Sequence, residues 1–204
     1  YQVYLDGVNG SDANDGKTPE TSVKTVQRAY ELIRDAHTLF GGEVSGGRTN
    51  YVRVRLNEDK MRQYGLNISG IAQLAELNKV EFKHNYITDI SVLSGMNRLT
   101  SVGLNDNPVT DISPLTGCPN LAFLDLCDVR TYDPQVIAML GNFDYLDLSN
   151  PTGSWDYLGG KSVLSLRLSW TGLSDLHALD EVTRLENLDI SHSDVNDLSP
   201  LLVH

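Results

Sequence analysis

"DISPLTGCPNLAFLDLCDVRTYD" fills positions 111–133 of a 204-residue chain, and the stretch 22 residues earlier, "DISVLSGMNRLTSVGLNDNPVTD", follows the same plan. Each opens and closes on aspartate, and each carries an L-x-x-L-x-L pattern: Leu121, Leu124 and Leu126 in one, Leu99, Val102 and Leu104 in the other. Self-similarity at a fixed period of about 20–50 residues marks a stacked-repeat architecture.

The pattern runs through the second half of the chain. One apolar column is Leu77, Leu99, Leu121, Phe143, Val163, Leu185, the next is Val80, Val102, Leu124, Leu146, Leu166, Leu188, and a third is Phe82, Leu104, Leu126, Leu148, Leu168, Ile190. Each step is 22 residues except the one from the fourth member to the fifth, which is 20. A further column, Leu93, Leu115, Ile137, Leu158, Leu179, Leu201, keeps the frame with steps of 22, 22, 21, 21 and 22. Apolar residues two apart share one face of a short strand. Turn formers such as "NDNPVTD" and "SHSDVND" follow. "ISPL" or "LSPL" then predicts a short helical or 3₁₀ return, with Ser113-Pro114 and Ser199-Pro200 as capped starts. No unit buries its leucines alone; stacked units bury them against each other and line up a parallel sheet. The expected fold is therefore an α/β solenoid.

The unit resembles the leucine-rich repeat of the internalin-like class, most closely at "LNKVEFKHNYITDISVL" and "LTSVGLNDNPVTDISPL". The resemblance covers residues 67–204 in about six repeats. It implies a right-handed coil with its parallel sheet on the concave face, and an asparagine that caps backbone groups inside each turn. That asparagine is present as Asn85 and Asn107, replaced by Val129, shifted to Asn150, and replaced again by Thr171 and Ser193. The shortened coil predicts a local irregularity around 149–162, "SNPTGSWDYLGG". The chain ends on "LSPLLVH" without a polar closing unit, so either the solenoid continues in the native protein or this end is exposed.

Residues 1–66 differ in kind and are expected to form an N-terminal α/β cap over the first repeat's apolar edge. "YQVYL" reads as a strand, "DGVNGSDANDGKTPE" as a turn-rich loop, and Thr18-Pro19-Glu20 as the opening of a helix with Val23, Val26, Ala29, Tyr30 and Ile33 on one face. "FGGEVSGGRTN" reads as a loop and "YVRVRL" as an edge strand. The opening resembles a short segment of secreted and surface proteins of Gram-positive bacteria, and the start of parallel β-helix carbohydrate-active enzymes. Asp6, Asn9, Asp12, Asn14 and Asp15 offer hard oxygens, yet no register matches an EF-hand, so a hydrogen-bonded turn is expected rather than a calcium site.

Composition narrows the function. Against 27 acidic residues stand 16 basic ones, a formal net charge of −11, which repels polyphosphate and argues against nucleic acid and against an anionic membrane surface. No apolar run spans a bilayer. Tyr1 opens the chain without a signal peptide, so export signals and anchors are expected outside this sequence. Cys118 and Cys127 are expected as free thiols on different sides of the coil. His37, His84, His177, His192 and His204 form no metal or nucleophile motif. Neither a cofactor nor catalysis is expected.

The outward strand positions carry the information. Before the middle leucine stand Lys79, Ser101, Phe123, Tyr145, Ser165 and Asn187; between the paired apolars stand Glu81, Gly103, Asp125, Asp147, Arg167 and Asp189. Three positions past those before the paired apolars' last member come His84, Asp106, Asp128, Asn150, Trp170 and His192. Phe123, Tyr145 and Trp170 are aromatics that a core does not require, and Arg167 accompanies them; aromatics and Arg are enriched at binding hot spots. The expected ligand-binding face comprises Phe123, Tyr145, Trp170, Arg167, Asp125 and Asp147. Asp125 and Asp147 are adjacent carboxylates, but an open sheet is expected to supply neither the cleft nor the raised acid of a glycosidase. Trp155, in the column of Ile90 and Ile112, is expected in the core. The reading is a non-catalytic, extracellular recognition module binding a protein or glycan at a bacterial cell surface. Its rivals are a stalk without a ligand and an accessory domain of a carbohydrate-active enzyme.

Overall fold

The structure is a computed structural model that describes residues 3–4, 9–25, 27–29, 31–32, 51–53, 68, 71, 77–151 and 153–203. Seven short strands form one parallel sheet in strict chain order: β1 (Tyr51–Arg53), β2 (Lys79–Glu81), β3 (Ser101–Gly103), β4 (Phe123–Asp125), β5 (Phe143–Asp147), β6 (Val163–Arg167) and β7 (Asn187–Asp189). Register runs without a slip along the columns read from the sequence: Val80 pairs Val102, Val102 pairs Leu124, Leu124 pairs Leu146, Leu146 pairs Leu166, and Leu166 pairs Leu188. β1 adds a strand from the N-terminal segment to the sheet's edge, with Val52 opposite Val80.

The core is the leucine columns themselves. Val80, Phe82, Leu93, Leu99, Val102, Leu104, Leu115, Leu124, Leu126, Phe143, Leu146, Leu148, Leu158, Leu166 and Leu168 are all fully buried. Each such side chain contributes about 1.5–3 kcal/mol of burial. In the last coil Leu185, Leu188, Ile190, Val195 and Leu201 are only partly covered, and Leu198 and Leu202 are exposed.

Each strand from β2 to β7 is followed by a corner in the left-handed region. His84, Asp106, Asp128, Asn150, Trp170 and His192 have φ of 55, 57, 60, 80, 60 and 56°. Residues other than glycine visit that region rarely. These six positions therefore belong to the turn, not to the strands on whose outward face the sequence placed them.

Short 3₁₀ segments carry the return path: Ser91–Leu93, Ser113–Gly117, Asp156–Leu158, His177–Leu179 and Ser199–Val203. Their caps differ from expectation. Ser113 and Ser199 are not the capping acceptors. Asp89, Asp111, Asp175 and Asp197 accept the backbone N–H two residues on, at 2.8–2.9 Å, and Ser154 Oγ does the same for Asp156 at 3.3 Å. This is the use of the aspartates that open and close each unit. Gly117 sits where adjacent returns touch: a Cβ there would lie 2.7 Å from the Gly95 nitrogen.

One return is a true helix, α1 (Gln135–Met139), capped by Asp133 at 2.9 Å. At its C-terminal end the buried Lys161 donates through Nζ to Ala138 O at 2.7 Å and to Leu140 O. A cation there meets the carbonyls that a helix end leaves unpaired.

The two residues missing from the shortened coil leave the sheet untouched. Phe143 pairs Val163 and Tyr145 pairs Ser165 as elsewhere, and Trp155 takes the backbone of Ile90 and Ile112, with φ of −112, −118 and −103°. The deletion is absorbed in the links from Leu148 to Trp155 and from Leu158 to Val163. A groove of about 240 Å³, bordered by Arg130, Tyr132, Trp155 and Tyr157, opens on the turn side at this coil.

In the N-terminal segment, Thr18-Pro19-Glu20 opens only a 3₁₀ turn (Pro19–Thr21) with a Thr18–Thr21 capping box. Residues 27–29 and 31–32 are helical, and Thr25 Oγ1 accepts the Arg28 N–H at 3.1 Å. Val3 and Tyr4 form no strand; Tyr4 bonds through its backbone to Gly16 O at 2.8 Å and Val23 N at 3.0 Å. "FGGEVSGGRTN" up to Asn50, His37 and His204 lie outside the described residues.

Candidate functional site

The outward rows of β4, β5 and β6 bring five of the six expected residues together. Phe123 and Tyr145, opposite each other in register, stack with centroids 4.2 Å apart and planes 9° from parallel. Phe123 is 37% exposed, which makes the stack a standing apolar surface. On its other side Lys79 reaches across β3 to place Nζ 5.8 Å from the Phe123 centroid, and pairs with Glu81 at 2.9 Å.

One row further along, the acids that end β4, β5 and β7 are tied into the backbone. Asp125, Asp147 and Asp189 accept through Oδ1 the N–H groups of Cys127, Ser149 and Ser191, at 3.1, 3.0 and 3.0 Å. Their second oxygens diverge. Asp147 Oδ2 accepts the Tyr145 hydroxyl at 3.0 Å and lies 3.6 Å from Arg167. Asp189 Oδ2 accepts Arg167 at 3.0 and 3.2 Å. Arg167 thus bridges two coils and also reaches the Tyr145 hydroxyl at 3.5 Å. Asp125 Oδ2 accepts nothing among the described residues.

Electrostatics follow this division. Hydrogen bonds from Ser191, with Ser169 and Arg167 behind them, hold the Asp189 carboxyl well below the usual range. Burial, opposed by the Cys127 N–H and reinforced by the Asp147 charge, pushes Asp125 up to about 6. The expectation that an open sheet supplies no raised acid is therefore wrong for Asp125. Burial, and then the hydroxyl's setting beside Asp147, raises Tyr145 to about 12. Burial among the carboxylates of Asp147, Asp128 and Asp125 pushes the Cys127 thiol up to about 12, so it is a poor nucleophile. Cys118 and Cys127 are both free, the former buried with its Sγ on Leu93 O at 3.2 Å.

Trp170 does not join the stack. It stands at a left-handed corner past β6 and stacks on His192, centroids 3.7 Å apart and planes 13° from parallel. Tyr145 pairs with Ser165, and Trp170 lies five residues further along, past the end of β6. At 58% exposed it is a second, separate aromatic surface. Trp155, by contrast, is buried, as its column predicts.

As a chemical device the central face is a fixed surface: a stacked ring pair, a carboxylate–arginine lattice and one carboxyl without a cation. Asp147, the register neighbour of Asp125, is engaged by Tyr145, Arg167 and the Ser149 N–H. Among the described residues no group of three or more His, Cys, Asp or Glu is placed to hold a metal ion, and no helix is long and apolar enough to cross a membrane. In the Asp/Asn loop, Asp12 accepts from Lys24 N, Thr25 N and Thr25 Oγ1 at 2.9, 2.8 and 3.0 Å, and Asn14 donates to Ser22 O at 2.9 Å.

A single parallel sheet of one strand per coil, with leucine columns behind it, defines a leucine-rich repeat solenoid. In fold the chain is internalin-like. It superposes on internalin C2 from Listeria monocytogenes with a TM-score of 0.58 at 24% identity, over 66% of this chain and 61% of that one. Internalin F from the same organism gives 0.55 at 26% identity, over 66% of this chain and 41% of that one. The match thus spans less than two thirds of either protein. Comparison with protein-family models and with curated proteins gives no match.

Proposed function

We propose that the chain is a non-catalytic recognition module that binds a protein through the concave sheet face of β3–β6, as part of a bacterial surface or secreted protein. The observation that carries this is the exposed Phe123–Tyr145 stack on a lattice already fixed by hydrogen bonds. Rings held in place lose little freedom on docking, so the ordering cost of association is small. Large amphipathic rings and arginine at the centre of a patch are the residue types that dominate binding energy. The extracellular setting is supported by the internalin likeness and by the opening segment. Residues 1–66 serve as the cap and 67–204 as the solenoid, with β1 closing the sheet's first edge.

The test is binding to arrays of extracellular protein domains and of glycans. Wild-type chain is expected to mark a small set of protein spots, and Phe123→Ala with Tyr145→Ala to abolish them while the circular dichroism spectrum is kept. Signal unchanged in that double variant would overturn the face, and signal on glycan spots alone would overturn the protein partner. Uniform absence of signal would favour a stalk.

A further inference from the structure

The acids that end β2, β4, β5 and β7 on the concave face differ in one respect. Glu81 has Lys79 at 2.9 Å, Asp189 has Arg167 at 3.0 Å, and Asp147 has Arg167 at 3.6 Å together with the Tyr145 hydroxyl. Asp125 has no cation within ion-pair distance among the described residues; Lys83 and Arg167 act on it only through space. Its register neighbour on β3 is Gly103, which presents no side chain to wall it off, and its neighbour one row up is the exposed Phe123 ring. The rest of this face does not supply the missing charge. Asp128 stands in the same coil and Asp106 and Asp147 in the adjoining ones, and the chain as a whole is at −11. Burial without a cation leaves the ionised carboxyl under-stabilised, which is the cause of its rise to about 6.

We propose that the partner places a cationic side chain, lysine or arginine, on Asp125 Oδ2, with the side chain's alkyl stem lying along the Phe123–Tyr145 stack. This rests on the concave-face reading above and specifies its partner chemistry. The two halves of the site suit the two halves of such a side chain: a carboxylate for the head and the apolar edges of the stacked rings for the stem. The molecule already contains one instance of the arrangement, since Lys79 holds its ammonium between Glu81 and the face of Phe123. Lysine or arginine beside an aromatic and a carboxylate gains from the ion pair and from the ring together. Because the carboxyl sits part-buried, pairing there is less screened than on an open surface.

The experiment is a selection of random 12-residue displayed peptides on the intact chain, followed by affinity measurement of the enriched sequences. Enriched peptides are expected to share a lysine or arginine next to an apolar residue. Their affinity is expected to fall at least tenfold on Asp125→Asn, which keeps the acceptor for the Cys127 N–H and so keeps the fold. Replacing the shared lysine by norleucine is expected to cost a similar factor on wild type and almost none on Asp125→Asn. Peptides that lose binding on Phe123→Ala, carry no basic preference and ignore Asp125→Asn would overturn the cationic partner and leave the face standing. Peptides indifferent to both substitutions, or no enrichment, would overturn the face as well.

Discussion

The coils of β2 and β3 and those from β4 onward fold into the same rungs by different means. In the first pair the turn is tied by an amide. Buried Asn107 donates to Phe82 O, Leu104 O and Asn105 O at 2.6, 2.7 and 3.3 Å, and accepts from Asn85 N and Ile87 N at 3.1 and 3.0 Å. One side chain thus serves two coils. From β4 onward that position is Val129, Pro151 and Thr171. Val129 is simply buried, and Thr171 makes a single bond, to Leu168 O at 2.7 Å. Asn150, which the sequence offered as a shifted substitute, sits one residue early at the left-handed corner and donates instead to Asp128. The leucine columns carry the fold through both regions, and the polar ties inside the turn are interchangeable only where other bonds take over, as Lys161 does beneath α1.

That contrast can be broken by measurement. The largest effect is expected from the two tryptophans of the second region. Trp155→Ala should cost about 3–5 kcal/mol in urea unfolding, because it leaves a cavity in the compressed coil, whereas Trp170→Ala should cost less than about 1 kcal/mol. Equal losses would show that the deletion is not accommodated around Trp155. Next, Asn107→Ala should cost about 3 kcal/mol or more, since it strands several buried backbone groups at once, while Thr171→Val should cost about 1 kcal/mol. Similar values for the two would erase the difference between the regions.

A smaller effect of opposite sign is expected at the face. The folded Asp125 carboxyl is raised to about 6 against an unfolded value near 3.9, so its ionisation works against the folded state. Stability from this group is full below about pH 4, falls as pH rises between 4 and 6, and stays reduced above. Asp125→Asn should therefore stabilise the chain at pH 7 by up to about 3 kcal/mol, and the gain should vanish near pH 4. A gain that persists at pH 4 would point to a cause other than charge.

Smallest of all, Lys161→Met should lower stability modestly at pH 7 and more visibly in the protection of amides from α1 than in those of β2 and β3. Hydrogen exchange reads this directly. Uniform loss of protection would show that the two regions unfold together.

Much of this was legible in the residues, and for a physical reason. Leu77, Leu99, Leu121 and Phe143 repeat at a fixed step because burial is set by local spacing, so the rung order and register could be read without coordinates. The capping aspartates were equally visible as a column at 89, 111, 133, 175 and 197, yet Ser-Pro drew the assignment, because proline at a helix start is the louder local signal. The corner row was misplaced because strands here are only three to five residues long, and alternation carried past their ends reads turn as strand. At the site, the neighbours of Phe123 and Tyr145 followed from register. The separation of Trp170 did not, since it depends on where the strand stops. The state of Asp125 was out of reach from sequence, because it is decided by burial and by what Gly103 and Arg167 leave undone across three coils.

The corner row has a consequence for how such a molecule diversifies. Six successive corners bend left-handed, and none uses glycine. Glycine would relax each bend, but it would also blank the residue displayed there. By accepting a little tension at every corner the chain keeps a line of interchangeable emblems, histidine, aspartate, asparagine or tryptophan, along a path that does not change with them. Exchanging Trp170 or His192 should therefore rewrite what that edge presents while leaving the rungs where they are.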